Sequence, residues 1–244
     1  MRKKIKKQKK DESPYVHQDE KFKGKLQFRD RIKWTDKQKK FLELAAQKET
    51  RIVFIKGPAG SSKSILAVYA ALQMLDQKKI SEVMYIRSAV ESSESKIGYL
   101  PGSNEEKMLY YNLPFMEKLE ELLPTADVEA LKNQNKVSCF STNFARGMSW
   151  NAKAIIMDEV QNSSKKEIVT ILTRLGEFSR CFILADPMQT DLTGGRCGGF
   201  EELYKLFDDQ ESREKGIYTF EFTEEDIMRS DLVRYLVKKL TKKS

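Results

Sequence analysis

Arg51-Ile52-Val53-Phe54-Ile55-Lys56-Gly57-Pro58-Ala59-Gly60-Ser61-Ser62-Lys63-Ser64 decides the fold. Its first six residues are a β-branched and aromatic run, the composition of a strand. Pro58 and Gly60 break that run. From Ser64 to Leu75 the chain is rich in Ala, Leu and Ile at helical spacing. The order is strand, glycine-containing loop, helix. A loop of this kind aims consecutive backbone N–H groups at one point, next to the positive end of a helix, and so cradles phosphate. In the G-x-x-x-x-G-K-[ST] pattern the lysine reaches the β- and γ-phosphates and the next hydroxyl reaches Mg²⁺. Gly57, Pro58, Ala59, Gly60, Ser61, Ser62, Lys63 and Ser64 are therefore the expected nucleotide-binding residues, with Lys63 also catalytic and Ser64 a metal ligand. Ser62 departs from the pattern, which has glycine before the lysine. If that position needs a positive φ, a side chain there costs roughly 1–2 kcal/mol; alternatively its hydroxyl donates to a phosphate.

Working outward, apolar strands alternate with helices. Glu82–Arg87, Lys136–Phe140, Ala152–Met157, Arg180–Ala185 and Ile217–Phe222 read as strands. Helices are expected from Thr35 as N-cap, over 104–123 with a break or kink at Pro114, over 163–175 with Ser163 or Ser164 as cap, and over 200–206 and 232–240. Such alternation predicts a mostly parallel sheet covered by helices on both faces. Residues 1–33 are polar, basic and weakly periodic, and read as a flexible arm preceding a domain over 34–244.

Two strands end in carboxylates. Ile155-Ile156-Met157-Asp158-Glu159 delivers a pair to its C-terminal end, where open parallel sheets bind ligands. Asp158 is expected to hold the Mg²⁺ shell, and Glu159 to orient and deprotonate the attacking water. Ala185-Asp186-Pro187-Met188-Gln189 ends the next buried strand, and the amide of Gln189 can report the γ-phosphate.

The loop, Asp158-Glu159-Val160-Gln161-Asn162 and Ala185–Gln189 together resemble the PhoH-like family, phosphate-starvation-type ATPases of bacteria and phages related to the first motor domain of superfamily 1 helicases. Gly98-Tyr99-Leu100-Pro101-Gly102, Arg146-Gly147, Leu172-Thr173-Arg174-Leu175-Gly176 and Asp226-Ile227-Met228-Arg229-Ser230 extend the match from about residue 34 to residue 239. The resemblance implies a RecA-like P-loop NTPase core that uses ATP and Mg²⁺. It places Gln38 where helicase relatives carry an adenine-reading glutamine and Gln189 where they sense the γ-phosphate. It makes Arg174 and Arg229 candidate cations for the transition state. Ser230, where the family shows histidine, and Ala185, commonly glycine, depart from its pattern. One motor domain lacks the second arginine-bearing domain of a helicase, so a homo-oligomeric ring, such as a hexamer, would supply Arg174 or Arg229 from a neighbour.

Composition bounds the partners. The net charge is +8, with Arg2, Lys3, Lys4, Lys6, Lys7, Lys9 and Lys10 at one end and Lys238, Lys239, Lys242 and Lys243 at the other. Basic tails suit RNA or single-stranded DNA, and equally a solvated tail. Tyr99, Tyr110 and Tyr111 could stack bases or make core contacts. Cys139, Cys181 and Cys197 lack metal or disulfide spacing, which fits a reducing, cytoplasmic setting. No run is apolar enough for a membrane helix, and no apolar segment follows the basic start. His17, the single histidine, falls in the arm. The alternative to an ATPase acting on nucleic acid is a nucleotide-dependent oligomeric switch acting on protein partners, with slow turnover.

Overall fold

The computed structural model describes residues 16–17, 20–30, 33–87, 104–141, 149–189 and 199–228, together with Leu232, Tyr235, Leu236, Lys238 and Lys239; side chains are described from residue 113 in the third helix. Six strands form one sheet: β1 (Ile52–Lys56), β2 (Glu82–Arg87), β3 (Val137–Ser141), β4 (Lys153–Asp158), β5 (Arg180–Ala185) and β6 (Ile217–Glu221). Their order is β3-β2-β4-β5-β1-β6. Every pairing among them is parallel. The parallel sheet expected from the alternation is wholly parallel over the described strands, and each connection must cross over the sheet.

The period-two alternation of the strands sorts the core into two layers. Val53, Ile55, Tyr85, Ile156 and Leu184 point to one face, with Phe41 and Ala45 of α1 (Asp36–Ala46), Leu66 and Leu72 of α2 (Lys63–Asp76), Phe115 and Leu119 of α3 (Asn104–Leu122) and Leu131 of α4 (Thr125–Asn133). Phe54, Met84, Ile155, Met157 and Ile183 point to the other, under Ile168 and Ile171 of α5 (Lys165–Leu172) and Phe200 and Leu203 of α6 (Gly199–Leu206). A short α7 (Gln210–Glu214) precedes β6. Helices on both faces and an unbroken parallel sheet make this an α/β fold of the P-loop NTPase kind.

Several local expectations change. Residues 20–30 do not behave as a free arm. Phe22 and Leu26 are buried in the core, and the Leu26 and Gln27 N–H groups donate to Asp76 Oδ1 and Asp127 Oδ2, both at 2.7 Å. Three apolar residues, Phe22, Leu26 and Phe28, lie among charged neighbours, and all pack on the helical layer. Helix α3 runs unbroken through Pro114. Proline removes one helical bond, but Phe115, Leu119 and Leu122 after it are buried and hold the following turns against the sheet. Helix α5 starts behind Ser164, one of the two serines expected to cap it, in a reciprocal bond with Glu167, and ends at Leu172 rather than Leu175, while Val160–Asn162 form a separate 3-10 turn. Helix α4 was not anticipated; only Val128 and Leu131 are buried in its nine residues. Leu232, Tyr235, Leu236, Lys238 and Lys239 are helical, within the helix expected there.

Candidate functional site

Strand β1 ends at Lys56 and the loop begins. The Gly57 N–H donates to the Ala185 carbonyl of β5 at 3.2 Å. A Cβ on Gly57 would lie 2.8 Å from Phe222 Cβ and 3.0 Å from its carbonyl, so only glycine fits between the strands. The Ser61 N–H and hydroxyl both turn back to the Pro58 carbonyl, at 3.3 and 2.8 Å. Lys63 Nζ curls into the loop and donates to the carbonyls of Gly57 at 2.7 Å and Pro58 at 2.9 Å. Burial pulls its ammonium below the usual lysine range, opposed by the charges of Asp186, Asp158 and Glu159. Ser62 has φ 67° and ψ 17°, left-handed, and its side chain makes no capping bond to α2. The positive φ considered for this position is present, and serine bears it.

Strand β5 lies between β1 and β4. Two strand spacings set Asp158 roughly 10 Å from the end of β1, and the start of α2 crosses that gap. The Ser64 hydroxyl donates to Asp158 Oδ1 at 3.0 Å. The Glu159 N–H donates to the same oxygen at 3.1 Å. The Tyr85 hydroxyl of β2 donates to Asp158 Oδ2. A carboxylate 5% exposed needs such partners. Burial first, then the Asp158 charge and the hydrogen bond to it, push the Tyr85 phenol well above the usual tyrosine range, so it stays a donor.

Glu159 is also left-handed, with φ 57° and ψ 38°. Its Oε2 accepts from Gln161 Nε2 at 2.6 Å, while Gln161 Oε1 accepts from the Asp186 N–H at 3.1 Å. Gln161, itself buried, therefore ties the carboxylate at the end of β4 to the end of β5. Asp186 Oδ1 caps the following turn through the Met188 N–H at 3.1 Å. Gln38 belongs to the N-terminal capping box of α1: the Thr35 N–H donates to its Oε1 at 2.9 Å. Its Nε2 is buried without a partner.

These groups line one cleft of about 640 Å³. It runs from Trp34 and Gln38, past the loop, to Glu117, Lys118 and Glu121 of α3. Ala59, Gly60, Ser62, Lys63, Ser64, Asp158, Glu159 and Gln189 all face it. Gly57, Pro58 and Ser61 form the turn beneath, and the Ser61 hydroxyl points inward. Arg174 is not brought to the cleft. It lies beyond α5, and its carbonyl accepts from the Trp150 N–H at 3.0 Å, near the opposite ends of the strands. Arg229, Gly98–Gly102, Arg146-Gly147 and Cys197 lie outside the described residues, as do the side chains of Tyr99, Tyr110 and Tyr111. Arg87, Lys118 and Tyr85 also line the cleft and were not singled out from the sequence. A lone phenol in the apolar run Glu82–Arg87 was the available signal for Tyr85. Met228 is tied to the loop by its N–H, which donates to the Gly60 carbonyl at 3.0 Å.

Among the described residues no cluster of three or more His, Cys, Asp or Glu could hold a metal alone. The Ser64 hydroxyl beside the Asp158 carboxylate fits Mg²⁺, which takes one or two protein oxygens and completes its shell with phosphate and water. Among the same residues no helix is long and apolar enough to cross a membrane.

A parallel sheet, a glycine loop entering a helix and a carboxylate joined to the helix's first hydroxyl define a P-loop nucleotide-binding protein. The sequence pattern of the PhoH-like protein family matches residues 32–241. The chain is 32% identical over 204 residues to the PhoH-like protein of Bacillus subtilis (strain 168), covering 82% of this chain and 61% of that one. It is 31% identical over 186 residues to the PhoH-like protein of Mycobacterium tuberculosis (strain ATCC 25618 / H37Rv), 76% of this chain and 51% of that one. It is 28% identical over 191 residues to Protein PhoH of Escherichia coli (strain K12), 78% and 52%. The chain belongs to the PhoH-like family, a family of P-loop ATP-binding proteins. It spans between about half and three fifths of the length of these relatives.

Proposed function

We propose that the cleft binds ATP with Mg²⁺ and hydrolyses its terminal phosphoanhydride, with turnover coupled to RNA or single-stranded DNA. The observation that carries this reading is the Ser64–Asp158 hydrogen bond. It joins two motifs 94 residues apart into one constellation beside Lys63 and Glu159.

Each residue has a task. The unpartnered Gln38 Nε2 donates to the base, beside Trp34. The backbone N–H groups of Ala59 to Ser64 cradle the phosphates, and Lys63 exchanges its two loop carbonyls for phosphate oxygens. Ser64 and Asp158 would hold Mg²⁺, which would supply charge neutralisation on the transferring group. Glu159, fixed by Gln161, orients a water and takes its proton as the water oxygen bonds to the γ-phosphorus. The bond to the β–γ bridging oxygen breaks, and its electron pair stays with ADP. Gln189 senses the γ-phosphate from the end of β5. Arg87 and Lys118 offer cations from the same chain. Arg174, off its own cleft, and Arg229 are candidates to reach a neighbour's cleft in a head-to-tail ring such as a hexamer.

The basic ends of the chain support the nucleic-acid part of the reading. ATPase activity measured with and without single-stranded RNA across a salt series tests it. Stimulation at low salt that fades as salt rises is expected. Hydrolysis with no response at low salt would remove nucleic acid and favour a switch acting on protein partners.

A further inference from the structure

We propose that Tyr85 is a positioning residue for Asp158: set on β2 and clamped by α3, it fixes the carboxylate in the orientation that receives the divalent cation with Ser64. This rests on the Mg²⁺-dependent reading of the cleft above. Tyr85 is fully buried on the face of β2 that otherwise packs apolar side chains. A valine or leucine would fill such a place without desolvating a hydroxyl. The hydroxyl has one described partner, Asp158 Oδ2, while Oδ1 already takes Ser64 and the Glu159 N–H. Side-chain donors from α2 and β2 and the N–H of the next residue thus fix the plane of one carboxylate, and rotation about its side chain forfeits at least one of them.

The ring is itself held. Phe115 of α3 stacks on it with centroids 4.8 Å apart and planes 8° from parallel, and Lys118 Nζ lies 5.9 Å from its centroid. Phe115 follows Pro114, and both Pro114 and Lys118 line the cleft. The far wall of the cleft is therefore in contact, through one aromatic pair, with the carboxylate that faces the metal.

The test uses the full chain and Tyr85→Phe, which keeps the ring and its stacking and removes only the hydroxyl. Mn²⁺ binding is followed by electron paramagnetic resonance at saturating non-hydrolysable ATP analogue. Nucleotide binding is measured separately in EDTA. The expected result is a loss of roughly 10–100-fold in Mn²⁺ affinity, the range for removing an outer-shell partner, with EDTA binding unchanged. The Mg²⁺ concentration for half-maximal turnover should rise with it. Phe115→Leu, which keeps the phenol but loosens it, should give a smaller loss in the same direction and serves if Tyr85→Phe fails to fold. Mn²⁺ affinity equal to or tighter than wild type in both variants overturns the positioning role alone. A wild-type chain that binds nucleotide but no Mn²⁺ overturns the Mg²⁺ reading as well.

Discussion

The two ends of the sheet's strands use the same unusual backbone conformation for opposite purposes. At the end where strands begin, Lys78, Asn135 and Gly216 are left-handed, with φ of 60°, 51° and 79°. Each of these three stands just past a helix, whereas Ala152 and Phe178, also left-handed at this end with φ of 50° and 61°, stand just ahead of β4 and β5. The N–H groups of Lys78 and Lys79 return to the carbonyls of Leu75 and Met74, and those of Asn135 and Lys136 to Lys132 and Leu131, all at 2.8–2.9 Å. These are helix C-terminal caps, and the left-handed residue satisfies carbonyls that the helix leaves open. At the end where strands finish, Ser62 and Glu159 are left-handed ahead of helical turns, where no such carbonyls need closing. Unpaired buried polar atoms occur at both ends: Trp150 Nε1, Arg174 Nε and Arg180 Nε where strands begin, and Gln38 Nε2 at the cleft. Where strands begin, Lys153 pairs with Glu82; at the cleft, Lys63 folds onto its own loop. At Ser62 and Glu159 the left-handed backbone coincides with the cleft, where strain can serve function.

The strongest way to break this comparison is at Glu159. If its left-handed turn exists to aim a base, Glu159→Gln should lower ATP hydrolysis by about 10²–10⁴-fold while ATP still binds. Steady-state turnover and equilibrium nucleotide binding, measured side by side, check it. An unchanged rate would reduce the turn at Glu159 to a chain reversal.

How much of this was legible in the sequence follows the same division. The strands, the phosphate loop and the carboxylate pair were readable because they depend on local composition and on spacing along the chain. Strand order was not, because nothing local says that β5 inserts between β1 and β4. The helical cap at Thr35 was legible, but not that it leaves one half of the Gln38 amide free, which depends on burial. Tyr85 escaped because a phenol in an apolar strand reads as core until its partner on the adjacent strand is known. Phe22 and Leu26 were lost in a basic stretch, since docking onto an existing layer needs no periodicity of its own. Arg174 shows the converse: the family pattern singled it out, and the fold sets it near the opposite ends of the strands.

A smaller effect separates structural from leftover polarity on α1. Thr35→Ala removes a cap and should cost about 1 kcal/mol of stability without changing ATP affinity. Gln38→Ala loses the reciprocal capping bond too, and should also weaken ATP binding up to about tenfold, the worth of one hydrogen bond. Thermal unfolding and calorimetric titration of both variants check the split. Equal ATP affinities would mean that the open Nε2 does not face the base.

The smallest effect is the most direct comparison of the two ends. Ser62→Gly and Lys78→Gly each relieve a left-handed residue of its Cβ, and each should gain about 0.5–1 kcal/mol, a rise in Tm of roughly 1–4 °C for a chain of this size. Their stabilities should therefore resemble one another. Their nucleotide binding should not. Ser62 stands where the backbone must approach the phosphates, so removing its side chain should tighten ATP binding and raise turnover, while Lys78→Gly leaves both alone. If Lys78→Gly shifted ATP affinity as well, the conformation would be coupled through α2 from one end to the other, since Ser62 caps that helix and Lys78 closes it, and the strain at Ser62 would belong to the helix rather than to the cleft.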